Sequence, residues 1–132
     1  MSFNEETISQ VLAMKTWAVV GLGNNPERAA YGVAKLLQDK GHKIVPVYPR
    51  AEEVHGEMGY KTLSEIPFPI DVVDCFVNSK LVGKVVDEAI AIGAKAVWLQ
   101  LDVIDQEAVD RAEAAGLIAI MDRCPAIEYR KR

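Results

Sequence analysis

No run in these 132 residues approaches the roughly 20 apolar residues that a bilayer-spanning helix needs, so no membrane segment is expected. Cysteine is scarce. Cys75 and Cys124 stand far apart and form no CxxC pair, which excludes a cysteine-pair metal framework and fits a reducing compartment. Positive charge is not in excess: 15 Lys and Arg against 19 Asp and Glu leave −4, which excludes a general nucleic-acid binder. Only two histidines occur, His42 at a helix–strand turn and His55 in a loop, where surface positions are expected. The opening Met1-Ser2-Phe3-Asn4-Glu5-Glu6 is acidic where a signal peptide is basic, so a cytoplasmic location is expected. There is no Ser/His/Asp triad, no metal-ligand spacing and no second domain to carry a substrate. No catalytic residue and no metal site are therefore assigned.

What is present fits one domain over residues 1–132, with half the residues hydrophobic and about a quarter charged. Ser2 and Glu5 have capping-box spacing, and Ile8, Val11 and Leu12 follow at helical spacing, so a helix is expected within 1–14. Thr16 to Val20 reads as a first strand, apolar enough to be buried on both faces. Ala30, Val33, Ala34 and Leu37 form one helix face, and Gly41 closes that helix. Lys43 to Tyr48 is the second strand, where Pro46 argues against a fully hydrogen-bonded central position. After a loop, Thr62 and Glu65 start a helical turn that Pro67 stops. Asp71 to Val77 is the third strand, and Ser79 is placed to cap a helix buried through Val82, Val85, Val86, Ala89 and Ile90. Ala96 to Leu101 is the fourth strand; Asp105 caps a helix with Ala108, Val109 and Ala112 inside; Leu117 to Met121 is the fifth. Residues 124–132 end in three basic residues and read as a frayed, solvated tail.

Strand and helix alternate five times. That predicts a three-layer, Rossmann-like α/β fold: a five-stranded parallel sheet with helices on both faces and right-handed crossovers, in the order 3-2-1-4-5. Ligands of such sheets bind outside the carboxyl ends of the strands, at the switch point beside strand 1.

The unusual residues collect at those ends. Gly21-Leu22-Gly23 lets the backbone pass close to a diphosphate, with Asn25 as helix cap and Pro26 at the first helical position. The third glycine of G-x-G-x-x-G is absent and Pro26 stands in its place, so a plain tight turn is the alternative. Arg28 falls in the first helical turn, where a cation opposes the macrodipole unless an anion is near; pairing with a nearby Glu is the other reading. The end of strand 2 lacks the Asp or Glu that would hold an NAD ribose. It offers Tyr48-Pro49-Arg50 instead, which suits an extra phosphate on the adenosine ribose, as in NADP or coenzyme A. Glu52 and Glu53 come late and read as solvated charge. Cys75 reads as a buried hydrophobe. Cys124, beside Arg123, is either a reactive or a structural thiol.

Several stretches carry a resemblance: Val19-Val20-Gly21, Asn25-Pro26-x-Arg28-x-x-Tyr31-x-Val33, Val45-Pro46-Val47-x-Pro49, Ala89 to Leu101, and Met121 to Glu128. From about Ile8 to Tyr129 the chain resembles the small bacterial and archaeal CoA-binding proteins of the YccU type. These are stand-alone Rossmann domains related to the CoA-binding part of the succinyl-CoA synthetase α subunit. The resemblance implies coenzyme A as ligand and no catalysis by the domain alone. It implies Gly21, Leu22, Gly23, Asn24, Asn25 and Arg28 on the pyrophosphate, and Pro49 and Arg50 on the adenosine and its 3′-phosphate, beside Tyr48. Val77, Asn78 and Val82 would wall the adenine, and Gln100, Leu101 and Asp102 would line the other side. The chain departs from the family's usual serine at Gly23, serine at Ala30, asparagine at Tyr48, arginine at Val77 and glycine at Asp102. Two alternatives stay open: an NADP-binding, oxidoreductase-like domain, and a degenerate-pocket domain that works through a protein partner. Homo-oligomerisation is compatible with each of these readings.

Overall fold

Asn4 caps the first helix, its Oδ1 accepting the Thr7 amide at 2.9 Å. The computed structural model describes residues 4–132, so the expected cap at Ser2 lies outside the described residues. Helix α1 (Glu5–Leu12) is followed by β1 (Thr16–Val20), α2 (Ala29–Asp39) and β2 (Lys43–Val47). A 3-10 turn (Leu63–Glu65) precedes β3 (Val72–Cys75), α3 (Val82–Ala91), β4 (Ala96–Leu99), α4 (Gln106–Ala114), β5 (Ile118–Ile120) and α5 (Pro125–Arg130). Among the described residues no helix is long and apolar enough to cross a membrane.

All neighbouring strands run parallel, and two hydrophobic layers cover the sheet. Trp17, Val19, Val72 and Trp98 face α1, α2 and α5; Ala18, Val73, Cys75 and Leu99 face α3 and α4. This is the expected three-layer Rossmann-like architecture. The strand order is β2-β1-β3-β4-β5, with β2 at the edge and β3 inside, in place of the expected 3-2-1-4-5.

Pro46 supplies the physical reason. Its carbonyl faces outward and accepts the Tyr60 amide at 3.0 Å, so its ring nitrogen faces the same open edge. A strand paired on that side would meet no donor there. β3, buried at all four positions, fits between β1 and β4 instead. The chain therefore reverses between β2 and β3, and the switch point opens between β1 and β3.

Three local expectations are corrected. Helix α2 begins at Ala29, not at Pro26. Asn25 Oδ1 accepts the Glu27 amide at 3.0 Å and its carbonyl accepts the Arg28 amide at 3.1 Å, which makes a separate turn. Arg28, with φ −82° and ψ 140°, is the extended cap residue. Ser79 caps nothing. Its Oγ donates to the Asp102 carbonyl at 3.3 Å and accepts the Ile104 amide at 2.9 Å, while Asn78 Oδ1 takes the Lys80 and Leu81 amides. The C-terminal segment is helical, with Pro125 in its first turn. Glu128 is buried and paired with Lys131 at 3.2 Å and Arg132 at 3.4 Å. Arg132 also reaches Glu5 of α1, at 3.6 Å.

Neither histidine is a free surface residue. His42 is buried; its Nδ1 donates to the Met14 carbonyl at 2.8 Å and its Nε2 meets the Tyr129 hydroxyl. Burial holds its pKa below the usual histidine value, against the opposing backbone contacts of Met14 and Lys15. His55 is half-buried and donates from Nε2 to the Tyr31 carbonyl at 2.8 Å.

Candidate functional site

The site is built on Gly21. There the chain leaves β1 with φ +101°, and a Cβ would stand 2.4 Å from the Phe76 carbonyl oxygen. Only glycine fits that conformation and that approach. The Gly21 amide donates to Val47 O at 2.8 Å, and the fully buried Leu22 anchors the turn to the core. Gly23, Asn24 and Asn25 then ride over the carboxyl end of the sheet. The segment after β2 is tied to them: the Asn24 amide donates to Glu52 Oε1 at 3.2 Å and its Nδ2 to Glu53 O at 2.8 Å.

Three cavities radiate from this turn, and Gly21 and Arg28 line all of them. The first, about 280 Å³, adds Gly23, Asn24, Asn25, Tyr48, Arg50 and Glu52. It is polar and holds two guanidinium groups. Among the described residues neither Arg28 nor Arg50 has an ion-pair partner. The second, about 350 Å³, has apolar walls of Val20, Val47, Pro49, Phe76, Val77 and Val85, with Tyr48, Lys61, Thr62 and Glu88 at its margin. The third, about 330 Å³, runs beneath the start of α2 past Ala29, Ala30 and Phe76 to Gln100, Leu101, Val103 and Cys124.

The residues singled out from sequence divide accordingly. Gly21, Gly23, Asn24, Asn25, Arg28, Tyr48 and Arg50 share the first cavity; Pro49 and Val77 line the second; Gln100 and Leu101 line the third. Leu22 and Val82 are fully buried in the core and line none of these cavities. Asn78 is spent on the turn before α3. Asp102 sits at φ +66°, exposed, its amide donating to Asp122 Oδ1 at 2.8 Å. Both stand outside the three cavities.

Glu52 reads as solvated charge in the sequence, yet it belongs to the site. Its loop has no periodicity, and only the fold shows it turning back onto the Asn24 amide. Lys61, Phe76 and Cys124 are likewise brought in by topology. Gly23 and Tyr48 are close neighbours at the first cavity. A Cβ on Gly23 would lie 3.3 Å from the Tyr48 ring and 3.2 Å from Glu52 Oε1.

Below the site lie buried polar groups. Asp74, in register between Val19 and Trp98, has zero exposure, and neither carboxyl oxygen has a hydrogen-bond partner. Burial pushes its pKa well above the usual carboxylate range, so it is held in its neutral form. Burial likewise pushes the Cys75 thiol upward. Gln100 is 6 % exposed and its Oε1 has no partner.

The profile of the family described as CoA binding domain matches residues 15–130. The chain is similar to the uncharacterized protein YneT of Bacillus subtilis, 36% identical over 87% of this chain and 85% of that one. It is similar to the acetate–CoA ligase (ADP-forming) II subunit alpha of Pyrococcus furiosus, 38% identical over 61% of this chain and only 18% of the subunit. Its fold matches the solved structure of a hypothetical protein from Pyrococcus horikoshii OT3, with TM-score 0.93 and 40% identity over 98% of this chain and 92% of that one.

Proposed function

The chain belongs to the CoA-binding domain family, and from that premise we propose that it binds coenzyme A across the carboxyl end of its sheet as a non-catalytic module. The observation that carries the reading is the meeting of three cavities at Gly21 and Arg28. A diphosphate fits at that junction, where a glycine turn and a guanidinium converge. The adenosine takes the apolar second cavity, against Pro49 and Val77. Its ribose phosphate lies toward Arg50 in the first. The remaining arm of the ligand takes the third cavity, beside Gln100 and Leu101. Glu52 is the unfavourable element: its carboxylate already holds the Asn24 amide and repels a nearby phosphate.

Thermal melting with CoA, dephospho-CoA and NADPH side by side tests the proposal. A ligand at about 100 times its Kd adds about 2.7 kcal/mol to stability. Clear stabilisation by CoA, less by dephospho-CoA, and a CoA-to-dephospho-CoA gap that closes in Arg50→Gln is the expected pattern. No shift with millimolar CoA refutes the reading. A shift with NADPH alone transfers the site to a nicotinamide cofactor.

A further inference from the structure

The second cavity is apolar along its walls and charged at one end. Helix α3 starts at the carboxyl rim, where β3 ends, and descends along the sheet. Val85 and Glu88 both line the cavity. Three residues apart, they share one face of α3, with Glu88 about 4.5 Å lower. A flat ring that enters from the Gly21–Arg28 junction therefore meets Val77 and Val85 first and Glu88 last.

Glu88 is held in place yet only half spent. It is half-buried, and its Oε2 accepts the Ser64 amide at 3.3 Å, in the 3-10 turn. Its Oε1 has no partner among the described residues. Lys61 lines the same cavity. It follows Tyr60, whose amide donates to the Pro46 carbonyl and whose carbonyl accepts the Tyr48 amide, both at 3.0 Å, so its backbone is fixed to the edge of β2. Among the described residues its amine has neither a hydrogen bond nor an ion pair. The cavity thus ends in a carboxylate oxygen that only accepts and an ammonium that only donates.

Of the parts of the ligand, the base is the one whose chemistry matches. A phosphate at this end would be repelled by Glu88. Adenine has two flat apolar faces, and its edge carries an amine that donates beside a ring nitrogen that accepts. Resting on the CoA-binding reading above, we propose that Glu88 is a specificity-determining residue that reads the adenine amine, with Lys61 facing the adjacent ring nitrogen. Hypoxanthine reverses this edge. Its oxygen faces Glu88 Oε1 with no proton between them, and its ring N–H faces an ammonium. The site therefore takes adenine nucleotides and rejects their deaminated forms.

The experiment titrates the protein by calorimetry with CoA and with deaminated CoA, in which hypoxanthine replaces adenine and every phosphate is kept. The wild type should bind CoA at least about tenfold more tightly. In Glu88→Gln the side-chain oxygen still accepts the Ser64 amide, while its NH2 donates to the hypoxanthine oxygen. The ratio of affinities should then fall to within about threefold of one, or reverse. Thermal melting of the ligand-free variant reports any loss of fold, which lowers both affinities and not their ratio. A wild-type ratio at or below one, or a ratio that Glu88→Gln leaves unchanged, overturns the proposal. If CoA binds with either of those outcomes, the base reading falls and the binding site stands. If neither ligand binds the wild type, both fall.

Discussion

Replacing Asp74 with asparagine should stabilise the protein, and by more as pH rises. Asp74 is fully buried in β3 with no partner for either oxygen, and burial alone raises its pKa. In the folded chain it keeps its proton; in the unfolded chain it releases it above the ordinary carboxylate value of 3.8. Between those two values the folded state binds more protons, so stability falls as pH rises. The slope is about 1.4 kcal/mol per pH unit for as long as the side chain stays protonated in the fold. Asparagine has nearly the same shape, leaves a similar buried polar group and carries no slope. The two proteins should therefore match closely near the carboxylate value and diverge steadily above it. Urea unfolding monitored by far-UV circular dichroism, at fixed ionic strength and at several pH values from about 4.5 to about 7, gives the difference directly. The contributions of His42 and Asp71 cancel in that difference. A gap that does not change with pH, or that favours aspartate as pH rises, would show that Asp74 is hydrated or paired and would refute the argument.

Other contacts carry outcomes of their own. Gly21→Ala should cost about 2 kcal/mol or more, since it adds a Cβ 2.4 Å from Phe76 O at φ +101°; a loss under about 0.5 kcal/mol in urea unfolding would contradict the packing. Glu52→Gln should tighten CoA binding several-fold, by an amount that shrinks as salt is added; calorimetry showing equal affinities would remove the repulsion argument. His42 has a folded pKa below its ordinary 6.5, so the stability it contributes is present above that value and lost on acidification below it. His42→Gln should flatten this part of the pH profile, and an unchanged profile would place the titration elsewhere. Tyr129→Phe should cost about 1 kcal/mol, measured the same way, because its hydroxyl contacts His42 and donates to Leu12 O at 3.1 Å.

Local signals in the sequence are legible where one residue settles the matter within a few positions. β1 is nearly all apolar and spans the expected Thr16–Val20, and Asp105 Oδ1 accepts the Ala108 amide at 3.0 Å as a cap should. Strand order is a non-local property, and the sequence holds one clue to it. Pro46 argues against an internal β2, yet the expected 3-2-1-4-5 order places β2 inside. The C-terminal helix is obscured by the three basic residues at its end, two of which, Lys131 and Arg132, pair with Glu128 while Arg132 also reaches α1. Likewise Asn25 and Ser79 are good caps by type, but each is spent on a different turn or loop. At the site, the glycine turn, Arg28 and Arg50 are legible because they lie beside strand ends. Glu52 and Lys61 come from a loop whose path only tertiary packing decides.

Arg132 lies against Glu5, its Nη2 donating to that residue's carbonyl at 3.3 Å. The first and last helices therefore leave their outer ends side by side. A short flexible linker could join them, and the chain could be reopened at Gly93 or Gly116, exposed turns at the amino ends of β4 and β5. Such a circular permutant would keep every loop over the opposite rim in its present order, with new ends at the rim away from the candidate site. It would also offer two attachment points for a fused reporter that leave the mouth of the site clear.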